Sequence, residues 1–386
     1  MYATQPRAIL LRWLDGSMKI AAVVAILMAW TSCTEQSCFA NGQRSTDERS
    51  PLNFDLVESF VLASPVASVH RYTAVSYAAN DPNEDRYVVQ VDSDAVFASV
   101  LDGHGGWEVA EYVNKHLVNN AATLLGNASS NNFAHIASSL SSAFVATDDA
   151  LRARLLLAFQ SGHGKANRVG ACTMLAYAKG STLVVANAGD VRAVLASTDA
   201  SGGLVATPLS TDHNAKHVSE QNRLTEKHPN ESNVVVCRSP ESCRVKGILQ
   251  PTRALGDFAF KYEEFNTLHA SFQNGGDGLF IPQPYTPPYI LAVPEIQVHT
   301  LTDADQFLIL GSDGLWGDLS NEEAVKIVAD YASRGEHDLA AQALVYEVIA
   351  KNAEGLNATW AEITNLVPGR ERRSVHDDTA VVVLFF

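Results

Sequence analysis

The chain has 386 residues, 46% hydrophobic and 18% charged, enough to bury one large core or two ordinary ones and too apolar to be disordered. It has no glycine period, no heptad run and no repeat of 20 to 50 residues, which excludes fibres, long coiled coils and solenoids. The formal net charge of −15 repels phosphate backbones and disfavours nucleic-acid binding.

The first 40 residues form a leader. Ile20 to Trp30 is an uncharged apolar run of 11 residues after Arg7, Arg12 and Lys19, too short to span a bilayer comfortably. It has the length of a signal-peptide core, and Cys38-Phe39-Ala40 offers small residues for cleavage. Two readings of residues 1–40 stay open: a secretory or membrane-anchoring segment, or a mitochondrial import segment.

From about residue 55 to 386 the pattern is that of one catalytic domain. Tyr87–Val91 and Val96–Leu101 flank Asp92-Ser93-Asp94 and predict a hairpin. Ala110, Val113, Leu117, Ala121 and Leu124 recur at helical spacing, as do Ile136, Leu140 and Phe144. Thr182–Ala186 and Arg192–Leu195 around Asn187-Ala188-Gly189-Asp190 predict a second hairpin. Residues 262–294, rich in glycine and proline, read as an irregular excursion shaped like a flap over the active site. Phe307–Leu310 is a buried strand ending in Gly311-Ser312-Asp313-Gly314. Ser320 and Glu323 form a capping box for a helix through Ala324, Ile327, Val328 and Tyr331 that closes near Gly335. Ala380–Phe386 is a final strand. Cys33, Cys38, Cys172, Cys237 and Cys243 show no zinc-finger spacing; the three outside the leader are an odd count, which argues for ordinary thiols and against a disulfide framework.

The informative feature is where the acids fall. Glu84 and Asp85 precede one strand, Asp102 ends another, Asp190 marks a turn, Asp313 follows a strand and Asp377 precedes the last. Aspartate favours turns, and strand ends abut turns, which explains any one of these positions better than it explains all of them. Brought to one edge of a sheet assembly, these carboxylates repel one another unless hard divalent cations compensate them. Gly103, having no side chain, lets its carbonyl approach an ion, and the adjacent His104 is placed to deliver a proton. Phosphate-binding loops, dinucleotide fingerprints, nucleophile elbows and zincin helices are absent from the sequence. Asp81-x-Asn83-x-Asp85 fails as a calcium loop, having Arg86 and Asp92 where that loop needs Gly and Glu.

In order along the chain stand Asn83-Glu84-Asp85-Arg86, Val100-Leu101-Asp102-Gly103-His104-Gly105-Gly106, Gly170-Ala171-Cys172-Thr173, Ala188-Gly189-Asp190-Val191-Arg192, Thr252-Arg253-Ala254-Leu255-Gly256-Asp257, Ser312-Asp313-Gly314-Leu315-Trp316 and His376-Asp377-Asp378-Thr379. This series resembles the motifs of the protein phosphatase 2C (PPM-type) family over residues 70–386. Leu209 to Lys261 is similar to the pyruvate dehydrogenase phosphatase branch and the related plant membrane-associated subgroup. The resemblance implies an α+β fold, a four-layer αββα sandwich of two antiparallel sheets. It also implies hydrolysis of phosphoserine and phosphothreonine in a phosphoprotein by a hydroxide on a binuclear Mg²⁺ or Mn²⁺ centre.

In that scheme Asp102 bridges both ions, the Gly103 carbonyl binds one, Asp313 and Asp377 complete the set, and Glu84 and Asp85 hold ion-bound waters. His104 protonates the leaving oxygen, and Asp190 matches the position used for a third ion. The sequence departs from the family pattern twice. Asn80 stands where many members have a phosphate-contacting Arg, as it does in the pyruvate dehydrogenase phosphatases. Gly317 replaces the acid usually found four residues after Asp313, with Asp318 one step later. A non-catalytic phosphoprotein-binding relative is disfavoured because the implied metal set is intact; a hydrolase of small phosphoesters is not separated by fold alone.

Overall fold

The computed structural model describes residues 51–126, 129, 132–273 and 276–386; the leader lies outside them. Fourteen strands are described: β1 Leu56–Val66, β2 Val69–Tyr77, β3 Arg86–Val91, β4 Ala95–His104, β5 Gly170–Lys179, β6 Thr182–Ala188, β7 Arg192–Thr198, β8 Leu204–Pro208, β9 Val235–Cys237, β10 Cys243–Val245, β11 Leu255–Gly256, β12 Glu295–Thr300, β13 Asp305–Gly311 and β14 Thr379–Phe385. One sheet runs β1-β2-β14-β13-β7-β8 and the other β12-β6-β5-β4-β3, with β11 beside β5 and a separate β9–β10 pair. The pairings between these strands are antiparallel.

The strand sequences explain the layering. Successive side chains of a strand point to opposite faces. In β4, Val96, Ala98 and Val100 enter the core between the sheets, whereas Ala95, Phe97 and Leu101 meet the outer helices. In β14, Val382 and Leu384 face inward while Val381 and Val383 face outward. Both faces are covered, so these strands read as continuous apolar runs without polar alternation. Helices Glu108–Leu125 and Phe133–Gln160 cover the β4–β5 sheet through Val113, Leu117, Ile136, Leu140 and Phe144. Helices Asn321–Ser333 and Ala340–Gly355 cover the β13–β14 sheet through Ala324, Val328, Leu344 and Val348. The result is the four-layer sandwich expected. The Ser320–Glu323 capping box forms on both sides. On the first helix Leu124 is exposed and Leu125 takes the buried position.

Two expectations are corrected. The segments around Asn187–Asp190 are not a hairpin: β6 pairs with β5 and β12, β7 with β13 and β8, and the chain crosses between sheets. The crossover needs Gly189, whose φ is +140° and whose added Cβ would meet the Cα of Cys172 at 2.7 Å. Asn187 then donates to the Gly189 and Thr211 carbonyls, fixing the corner. Cys237 and Cys243 form a disulfide, because the β9–β10 register sets them directly opposite; Cys172 remains a buried free thiol. The excursion 262–294 includes a short helix at Leu268–Phe272 and packs Ile281, Tyr285, Tyr289 and Ile290 onto Leu224, Val245 and Phe260.

Candidate active site

Strand register gathers the acids. Opposed pairs Arg86↔Leu101, Thr173↔Ala188, Gly311↔Arg192 and Thr379↔Tyr77 set the start of β3, the end of β4, the end of β6 and the β13–β14 junction toward the same end of the sandwich. A cavity of about 270 Å³ opens there. Its floor includes Asp102, Asp190, Asp313, Asp377 and Glu84, with Gly103 and His104 beside them. The described residues of 262–294 contribute nothing to its lining; Arg244, Leu249, Gln250 and Pro251 do.

Asp102 and Asp313 adjoin, the Asp313 amide lying 3.5 Å from Asp102 Oδ2. Asp85 does not line the cavity; it is buried beneath, with Oδ2 lacking a hydrogen-bond partner. Burial, reinforced by the neighbouring carboxylates, pushes Asp85 and Asp102 well above the usual carboxylate range. The same causes raise Asp313 to about 7 and Asp377 to about 6, although Arg373, 2.5 Å from Asp377, partly offsets the latter. Glu84 is raised by burial and by Asp378. Among the described residues no three Asp, Glu, His or Cys side chains stand close enough together to hold a metal ion as they lie; the acids surround a shared cavity instead. Their all-oxygen donor chemistry, mutual repulsion and the orphaned Asp85 oxygen fit hard divalent cations.

Gly103 is required for packing: a Cβ there would collide with the Glu84 carbonyl oxygen and press on Ala110 Cβ at 3.2 Å. Gly170 makes room for a contact that the sequence did not disclose. His104 Nε2 lies 2.8 Å from Asp257 Oδ2, and a side chain at 170 would occupy that space. Asp257 is fully buried and left-handed, with φ +53°. Burial lowers His104, but the Asp257 charge and hydrogen bond more than offset it and raise it overall. Behind Asp257, Asp148 on helix Phe133–Gln160 accepts from the Gly256 amide at 2.7 Å and from Lys261 at 2.8 Å. This buried pair fixes the turn that carries Asp257.

Asn80 does not line the cavity; its Nδ2 donates to Asp378 Oδ2 at 2.9 Å. Asp378 also accepts from the amides of Ala79, Asn80 and Glu84, at 2.6, 2.8 and 2.8 Å, so it shapes the loop before Glu84. Asp190 accepts from Asn214 at 2.7 Å. Asp318 is turned away, taking a bond from Asn352. Asp257, Asp378, Arg244 and Arg373 were not assigned to the site from the sequence; Asp257 and Asp378 had a visible signal, the first closing the motif Thr252–Asp257 and the second standing beside Asp377.

The fold and these motifs agree with comparisons to known proteins. The family described as protein phosphatase 2C matches residues 70–355. "Probable protein phosphatase 2C 38" of Arabidopsis thaliana is 36% identical over 294 residues, covering 75% of this chain and 72% of that one. "Probable protein phosphatase 2C 72" of Oryza sativa subsp. japonica is 35% identical over 290 residues, covering 74% and 69%. The solved serine-threonine phosphatase 2C from Toxoplasma gondii superposes with a TM-score of 0.59 at 17% identity, covering 86% of this chain and 100% of that one. The chain therefore belongs to the protein phosphatase 2C family of metal-dependent protein-serine/threonine phosphatases.

Proposed function

We propose that this enzyme hydrolyses phosphoserine and phosphothreonine in phosphoproteins, with two Mg²⁺ or Mn²⁺ ions held by the acids of the cavity. The observation that carries the reading is the group of buried carboxylates at the sheet ends, raised by burial and mutual repulsion. Asp102, the Gly103 carbonyl, Asp313 and Asp377 would hold the ions, Glu84 and Asp85 their waters, and Asp190 a third ion. Bound there, the cations supply a nucleophile at neutral pH and neutralise charge on the phosphoryl oxygens. His104, oriented by Asp257, delivers a proton to the departing seryl or threonyl oxygen. Asp378 keeps the Asn80–Glu84 loop against the cavity. The resemblance of residues 209–261 supports a substrate of the pyruvate dehydrogenase phosphatase kind.

The test is turnover of a phosphothreonine peptide. Activity that EDTA removes and Mn²⁺ or Mg²⁺ restores is expected; turnover resistant to EDTA overturns the reading.

A further inference from the structure

With cations held on the floor, a phosphoryl dianion entering this cavity still turns oxygens toward the wall, and a cationic donor there is what would hold them. Asn80 cannot supply one, being neutral and bonded to Asp378. Two arginines line the cavity. Arg373 is already paired with Asp377. Arg244 has no carboxylate partner among the described residues; it donates to the Ile248 carbonyl at 2.9 Å and Gln250 Oε1 at 3.4 Å, both neutral. These contacts use two of the five N–H donors of a guanidinium.

The arm that carries Arg244 is held from behind. Arg244 lies on β10, bonded to β9 with Arg244↔Val236 in register and the Cys237–Cys243 disulfide one position before it. Two positions after it, Lys246 is left-handed, with φ +53°, and its buried ammonium meets Glu231 at 2.6 Å and the Pro284 carbonyl at 2.8 Å. Gly247, φ +75°, completes the turn toward Leu249, Gln250 and Pro251 on the cavity wall. Such anchoring limits the entropy lost when the guanidinium engages a ligand.

We propose that Arg244 is the phosphate-binding residue of this site, its planar fork receiving phosphoryl oxygens in the role that position 80 does not fill. A guanidinium matches phosphate bidentately, which an ammonium cannot. The inference rests on the phosphatase reading above, and it predicts a contact common to every phosphate monoester substrate and to the inorganic phosphate product.

The experiment uses the full-length, Mn²⁺-loaded chain and its Arg244→Gln and Arg244→Lys variants. Expected for Arg244→Gln is a rise on the order of tenfold in the inhibition constant of inorganic phosphate. KM should rise alike for a phosphothreonine peptide and for para-nitrophenyl phosphate, with kcat little changed, the mark of lost uniform binding. Arg244→Lys should fall between, keeping charge but not the fork. Inhibition and KM values within twofold of the parent in both variants overturn the proposal. So does a KM rise on the peptide alone, which would make Arg244 a reader of flanking residues. Calorimetric binding of inorganic phosphate gives a readout without turnover: it should weaken in Arg244→Gln, and unchanged binding overturns the proposal. If the parent chain fails to turn over with Mn²⁺, the phosphatase reading falls, and the calorimetry still decides on Arg244.

Discussion

Asp102 and His104 stand two residues apart on the same strand end, yet their loss should be felt differently. Asp102→Asn removes charge from the centre of the carboxylate group, so Mn²⁺ affinity and turnover should collapse on every substrate. His104→Ala should retain Mn²⁺ and lose roughly 10²- to 10⁴-fold on a phosphoserine peptide, whose alkoxide needs a proton. The loss on para-nitrophenyl phosphate, whose phenolate leaves readily, should be much smaller; equal deficits would withdraw the proton-donor role. Asp257→Asn acts through His104, so it should show the same dependence on leaving group with a smaller deficit. Aspartates beside glycines at strand ends were legible because chemistry and turn preference coincide there. Asp257 closes a motif visible in the sequence, but its contact with His104 was not legible, since the two lie 153 positions apart and only the placement of β11 beside β5 brings them together.

Gly189 illustrates what periodicity misses at the level of elements. Two apolar runs around a short glycine-containing turn read as a hairpin, but every residue of β6 and most of β7 is buried, and each strand needs covering layers that a lone hairpin lacks. The pattern specified the strands correctly and left open which sheet each would join. Gly189→Ala should therefore cost about 1–3 kcal/mol through strained backbone, displace Asp190, and depress turnover. Thermal unfolding and a Mn²⁺ titration would check it; parent-like values in both would mean that the corner adapts. Ser320→Ala is the contrasting case. It removes one side of a capping box on an outer helix and should cost about 1 kcal/mol with kcat and KM unchanged, as urea unfolding beside a peptide assay would show. The cap was legible because its signal is local; the β9–β10 disulfide was not, because a cysteine count carries no register.

For the molecule as a whole, the same carboxylates that define the site oppose folding when no cation is bound. Asp313 rises to about 7 and Asp377 to about 6 in the folded chain, against about 4 for an unperturbed aspartate. The folded state thus binds protons more tightly than the unfolded one. The sign follows from linkage: this contribution is fully present below about pH 4 and is lost as pH rises through 6 to 7. In EDTA the melting temperature should accordingly fall between pH 5 and pH 8, apart from any titration elsewhere in the chain. Mn²⁺ competes with those protons, so the stabilisation it gives should grow over the same interval. At a free ion concentration 100 times the dissociation constant it amounts to about 2.7 kcal/mol for one site. Asp102→Asn, lacking one of the repelling charges, should melt higher than the parent in EDTA at pH 8 and respond little to Mn²⁺. Melting curves of both proteins, with EDTA and with Mn²⁺ across pH 5 to 8, provide the measurement. A parent chain whose Mn²⁺-induced shift is the same at pH 5 and pH 8 would show that the cavity carboxylates are not what the ion binds.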